Sequence, residues 1–129
     1  IGFLSVGVLN LNNMRDEASD RKSNKNTIVV KIGAAKAKKY HYFLIVSAMI
    51  LVLVFALIND FRIDQYLFLL AYIPLIKHLI TVHKNQEPKL LDPELKKLAL
   101  STFALSILLA ICMISLIQDV IVNLLFGGR

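Results

Sequence analysis

Two stretches of this chain run for about 20 residues each without Asp, Glu, Lys or Arg: Tyr40 to Asn59 and Leu98 to Gln118. A helix of that length, rising 1.5 Å per residue, spans roughly 30 Å, the thickness of a bilayer's hydrocarbon core. The runs therefore predict transmembrane helices and an all-α fold, a polytopic helical bundle in a lipid bilayer. Composition agrees, because 57% of the residues are hydrophobic and they are gathered into such runs.

A third span is interrupted. Gln65 to Ile76 is apolar, then Lys77 and His78 precede Leu79 to Val82. A lysine near a helix end snorkels to the headgroups, so Ile63 to Val82 still crosses, with a kink expected at Pro74. The opening residues, IGFLSVGVLNL, read as the last half of a fourth span. The expected organisation is the end of a span over 1–22, a loop over 23–40, spans over 41–59, 63–82 and 95–118, and a tail over 119–129. Beginning on Ile1 inside an apolar run, the chain reads as the C-terminal portion of a longer membrane protein with no visible signal peptide.

Loop charges orient these spans. Eight Lys and Arg residues lie between Asn13 and Tyr40, one between Asp60 and Asp64, and five between Lys77 and Lys97. Lys and Arg mark cytoplasmic loops, so the first and third connections are expected in the cytoplasm and the second outside. The pI of 9.6 comes from these loops. It points to topology and anionic headgroups, with no nucleic acid partner.

Other chemistry is sparse. Cys112 is alone within a span, which excludes an internal disulfide or a cysteine metal site. His41, His78 and His83 are scattered without ligand spacing, and interfacial packing is the expected role. Asp92 reads as an N-cap with Pro93 opening the last helix, and Gly33 as a break before the second span.

The concentration of polar residues is LNNMRDEASDRKSNKNT, Leu11 to Thr27. Asn12, Asp16 and Asp20 are spaced i, i+4, i+8, a row that drifts about 40° per step and rises about 6 Å. Two carboxylates and an amide oxygen are hard ligands suited to Mg²⁺, which keeps waters and shares its shell with a substrate's phosphates. Arg21 and Lys25 follow, cations placed for phosphate oxygens. SNKN is turn chemistry, with Asn24 suited to the left-handed conformation that ends a helix. Such a cluster is also what a solvated helix end looks like, and Glu17–Arg21 fits an ordinary i,i+4 pair. Asp60 and Asp64 of DFRID share the D-x-x-x-D spacing with no lysine nearby and read as structural, so the spacing alone is a weak signal.

The longer stretch LNLNNMRDEASDRKSNKNTIVVKIGAAKAKKYH resembles the second aspartate-rich motif of the UbiA-type intramembrane prenyltransferases. It is most similar to that of the 1,4-dihydroxy-2-naphthoate polyprenyltransferases of menaquinone biosynthesis. Their pattern begins Asn-Asn-x-Arg-Asp-x-x-x-Asp-Arg, continues through Gly-Lys-x-Thr and a Val-Arg-Leu-Gly-like stretch, and closes on a basic segment with Tyr-His. Asn12, Asn13, Arg15, Asp16, Asp20, Arg21, Lys25, Thr27, Gly33, Tyr40 and His41 match by position; Asn24 stands where the family has glycine. Looser similarity continues through PLIKH and the proline-bearing loop.

The resemblance implies an enzyme of the plasma (inner) membrane with its active site facing the cytoplasm. Its substrates would be a polyprenyl diphosphate and 1,4-dihydroxy-2-naphthoate, and its product demethylmenaquinone after loss of carbon dioxide. Asp16 and Asp20, with Asn12 assisting, would hold Mg²⁺; Arg21 and Lys25 would meet the diphosphate; Asn13 and Arg15 would position the aromatic ring. The family's first aspartate-rich motif is not in this sequence, so this chain alone is expected to be inactive. A different aromatic acceptor such as 4-hydroxybenzoate, or a transporter or structural membrane subunit, are the alternative readings.

Overall fold

The computed structural model describes residues 1–127, and among these there are helices and turns but no strands. Five α-helices follow in order: α1 Gly2–Lys22, α2 Ile28–Ile32, α3 Ala34–Ile58, α4 Tyr72–Lys84 and α5 Asp92–Phe126, with 3₁₀ segments at Ile63–Ala71 and Pro88–Leu91. Among the described residues three helical segments, Ala34–Ile58, Ile63–Lys84 and Pro88–Phe126, are long and apolar enough to cross a membrane. α5 continues through Phe126, so the expected tail over 119–129 is helical for most of its length; Gly128 and Arg129 lie outside the described residues.

The core is a seam between α1, α3, α4 and α5, where Leu4, Leu11, Ile45, Leu75, Leu98 and Leu105 are fully buried. Outward positions such as Phe43, Leu51, Phe103 and Ile114 stay apolar and exposed, the pattern expected of faces turned to lipid. Small and polar groups set the close approaches. A side chain added at Gly7 would meet Ile45 Cδ1 at 2.8 Å, so its absence lets α1 lie against α3. Asn10, buried on α1, donates from Nδ2 to the Ala37 carbonyl at 3.1 Å, and the Tyr72 hydroxyl donates to the Met49 carbonyl at 2.6 Å. Lys38 donates to the carbonyls of His83 and Asn85 at 2.8 and 2.9 Å, satisfying acceptors that the end of α4 leaves free.

The third span breaks differently from its expected form. Rather than kinking a continuous helix, Pro74 lies in the first turn of α4, where a missing N–H removes no intrahelical bond. The residues before it, Ile63–Ala71, form 3₁₀ turns with a non-helical Tyr66. The turn before this segment holds it against α5. Arg62 Nη1 donates to Asp119 Oδ1 at 2.8 Å, and Gln65 Nε2 donates to Asp119 Oδ2 at 3.0 Å.

Helix ends explain the D-x-x-x-D control. Asp60 has φ 48°, and the N–H groups of Asp60 and Phe61 bond to the carbonyls of Leu57 and Ala56, the Schellman arrangement that closes α3. Asp64 pairs with Arg62 at 3.1 Å on the surface.

Candidate functional site

The polar end of α1 faces a groove of about 800 Å³ whose opposite wall is the connection into α5; Arg15, Asp16, Ser19, Lys22, Lys89 and Asp92 line it. Three of the expected residues are knotted together there. Arg15 Nε donates to Asp16 Oδ1 at 2.8 Å, and Nη2 donates to Asp16 Oδ2 and to Asn12 Oδ1 at 2.9 Å each. Asn12 Nδ2 donates to Asp16 Oδ2 at 3.3 Å. The hydrogen bond from Arg15 outweighs desolvation and lowers the Asp16 carboxyl below its usual range, so it is ionised at neutral pH. The remaining arm, Arg15 Nη1, crosses the groove to Asp92 Oδ1 at 2.6 Å.

Asp20, one turn further along, is a separate unit. It is buried at 6% exposure, with Lys25 Nζ donating to Oδ1 at 3.2 Å and with Oδ2 buried and lacking any hydrogen-bond partner. The backbone makes that pairing local. α1 ends with Asn24 at φ 55°, its N–H bonded to the Arg21 carbonyl and the Lys25 N–H bonded to the Asp20 carbonyl. This is again the Schellman arrangement, and it folds Lys25 back beside Asp20. Asparagine thus occupies the left-handed position that glycine usually takes, as the SNKN turn chemistry predicts. Arg21 points elsewhere, donating to Glu17 at 2.9 Å on the exposed side, and Asn13 is half-buried on the adjoining face.

Among the described residues no three His, Cys, Asp or Glu side chains gather into a metal-binding group. The oxygens of Asn12, Asp16 and Asp20 do fit an Mg²⁺ that draws the rest of its shell from water and a diphosphate. Asp16 is anionic, and the unpartnered buried oxygen of Asp20 calls for a cation or a donor. In the arrangement seen, the Arg15 guanidinium covers the oxygens that Asn12 and Asp16 would offer.

Two curated proteins are similar to this chain. The 1,4-dihydroxy-2-naphthoate octaprenyltransferase of Haemophilus influenzae is 38% identical over 110 residues, which cover 85% of this chain and 36% of that protein. The protein of the same name from Escherichia coli strain K12 is 36% identical over 96 residues, covering 74% of this chain and 31% of that protein. Over most of its length the chain is thus similar to prenyltransferases, in keeping with the resemblance of its polar motif to the UbiA-type enzymes. It spans about a third of the length of the curated relatives it matches. No family model matches it, and no solved structure does.

Two features of this chain escaped sequence reasoning. Asp92 is not an N-cap: it has helical φ and ψ of −59° and −48°, its backbone lies within the turn of helix, and its carboxylate is spent on Arg15. Two of the three histidines, His41 and His78, are not scattered. His41 Nε2 and His78 Nε2 are 2.9 Å apart, His78 Nδ1 is 2.9 Å from Glu94 Oε2, and Lys97 Nζ donates to Glu94 Oε1 at 2.5 Å. His41, His78 and Glu94 are all buried, so this is a polar chain linking α3, α4 and α5 inside the bundle. A carboxylate only accepts, so with neutral imidazoles His78 donates from Nδ1 and accepts at Nε2 from His41. His41 Nδ1 is then an acceptor, and it has no partner. The available signal was a polar residue inside an apolar span, which lipid tolerates only where it is buried or paired.

Proposed function

We propose that the full-length protein containing this chain transfers a prenyl group from a polyprenyl diphosphate to 1,4-dihydroxy-2-naphthoate. The new C–C bond forms at the ring carbon that loses its carboxylate as carbon dioxide, diphosphate leaves, and the product is the quinol of demethylmenaquinone. The observation that carries this reading is the pair of carboxylate–cation units, Asp16–Arg15 and Asp20–Lys25, at the groove-facing end of an otherwise apolar helix. Similarity to two proteins named for that reaction supports it.

In this reading the prenyl tail lies along apolar helix faces and the diphosphate at the polar end of α1. Asp16 and Asp20, with Asn12, would hold Mg²⁺, which when bound would supply Lewis-acid stabilisation of the leaving diphosphate. Lys25 shares the negative charge released as the allylic C–O bond breaks. Arg21 joins it by exchanging an exposed pair with Glu17, a contact of about 0.3–0.5 kcal/mol. Arg15 and Asn13 position the aromatic ring, whose electron-rich carbon attacks the allylic cation, and the apolar spans keep water from that cation. This chain supplies one wall of the site and alone is expected to be inactive. Membranes carrying the full-length protein, supplied with polyprenyl diphosphate, Mg²⁺ and 1,4-dihydroxy-2-naphthoate, should form the prenylated quinol, recovered as demethylmenaquinone after oxidation in air, and carbon dioxide in equal amounts. Prenylation of 4-hydroxybenzoate instead would reassign the acceptor, and no transfer to either would overturn the reading.

Two further results are expected of the same protein. With the site facing the cytoplasm of a plasma (inner) membrane, an impermeant thiol reagent added outside should label a cysteine placed at Arg62 and spare one at Ser23. The reverse pattern would invert the orientation. Lys25→Ala should lower kcat/KM for the diphosphate by about 10- to 150-fold, the loss of a charge-assisted hydrogen bond, and leave the KM for the aromatic acceptor nearly unchanged. A defect confined to the acceptor would remove Lys25 from the diphosphate.

A further inference from the structure

Arg15 and the expected metal want the same oxygens. The guanidinium makes three bonds to Asn12 and Asp16 and a fourth to Asp92, which is 77 residues away in sequence and 71% exposed. A divalent cation that takes both Asp16 oxygens and the Asn12 oxygen displaces Arg15 from them, because Asp16 Oδ2 already accepts two hydrogen bonds and the cation repels a guanidinium held on the same carboxylate. Without a second anchor the displaced guanidinium would lose every partner in the groove. Asp92 is such an anchor: it holds Nη1 from the opposite wall and touches neither Asn12 nor Asp16.

We propose that Asp92 is a positioning residue that acts through Arg15, retaining the guanidinium in the groove when a metal–diphosphate takes the oxygens of Asn12 and Asp16. This rests on the prenyltransferase reading and adds a residue to it. Asp92 contributes more to the metal-loaded arrangement, where it is the one protein partner left to Arg15, than to the metal-free one, where it is one of three. Removing it therefore weakens metal uptake even though Asp92 is not a ligand.

The test is binding of Mn²⁺ to the purified full-length protein in the presence of inorganic pyrophosphate, read by electron paramagnetic resonance. Asp92→Asn should weaken Mn²⁺ binding by about three- to fivefold, the scale of an exposed ion pair, while Asp92→Glu retains wild-type binding. In an Arg15→Gln background the Asp92→Asn change should have no further effect, since the route through Arg15 is already gone. Equal losses in both backgrounds would mean that Asp92 acts as a distant charge and would overturn the proposal, as would unchanged binding in Asp92→Asn alone. Wild-type protein that binds no Mn²⁺ with pyrophosphate would overturn the metal assignment itself and the proposal with it. Wild-type binding indifferent to Asp92 would leave the assignment standing.

Discussion

Asp16→Asn and Asp20→Asn, each made in the full-length protein, should cut prenyl transfer by about 10²- to 10³-fold while the protein stays folded. Each change would remove an anionic oxygen from the small set proposed to hold the metal. The two aspartates should differ in detail, because their surroundings do. Asp16 is held by Arg15 and Asn12, so its amide variant also releases a guanidinium into the groove. Asp20 is buried with Oδ2 unpartnered, so Asp20→Asn removes a buried charge and leaves Lys25 without its carboxylate. Folding should survive both, since neither side chain bonds to a neighbouring helix. Glu17→Gln is the control: its pair with Arg21 is exposed and contributes about 0.3–0.5 kcal/mol, so activity should change little. Initial rates across an Mg²⁺ titration decide the matter. Near wild-type activity in both aspartate variants at every concentration would remove these residues from the metal site.

Lys97→Met should destabilise the bundle by about 1.5–3 kcal/mol, the loss of a charge-assisted hydrogen bond from an exposed ammonium to a buried carboxylate. Lys97 reaches from an exposed position to Glu94 Oε1, and the other contact of Glu94 is the His78 ring. Remove the ammonium and the anion has one neutral donor in a low-dielectric setting. The double change Lys97→Met with Glu94→Gln should recover much of the loss, because an amide keeps a hydrogen bond to His78 without a charge to bury. Thermal unfolding in detergent of the wild type, the single variant and the double variant measures this. A single variant as stable as the wild type would show that the carboxylate is solvated in the folded protein.

Much of the local architecture was legible in the residues. Run length alone located helices able to cross a membrane, since spacing along a helix is fixed at 1.5 Å per residue whatever its neighbours are. The turn after α1 was also readable, because Asn24 tolerates φ 55° for reasons internal to its own side chain. Lys25 beside Asp20 follows from that turn, five residues apart along the chain.

What the sequence could not carry is the choice of partners between helices. Nothing in NQEPKLLDPELKK distinguishes an Asp92 that caps its own helix from one that reaches Arg15; the 3₁₀ turn at Pro88–Leu91 sets that carboxylate against α1. His41 and His78 lie 37 residues apart with no common spacing, and they meet because α3 and α4 pack with those two positions facing inward. Helix periodicity tells which residues share a face but not which face another helix covers. The row of Asn12, Asp16 and Asp20 was therefore determined by the sequence alone. Its place in the packed bundle, with Asp20 buried and Arg15 tied across the groove to Asp92, was decided by the tertiary structure, because burial and a carboxylate from another helix are properties of the packing.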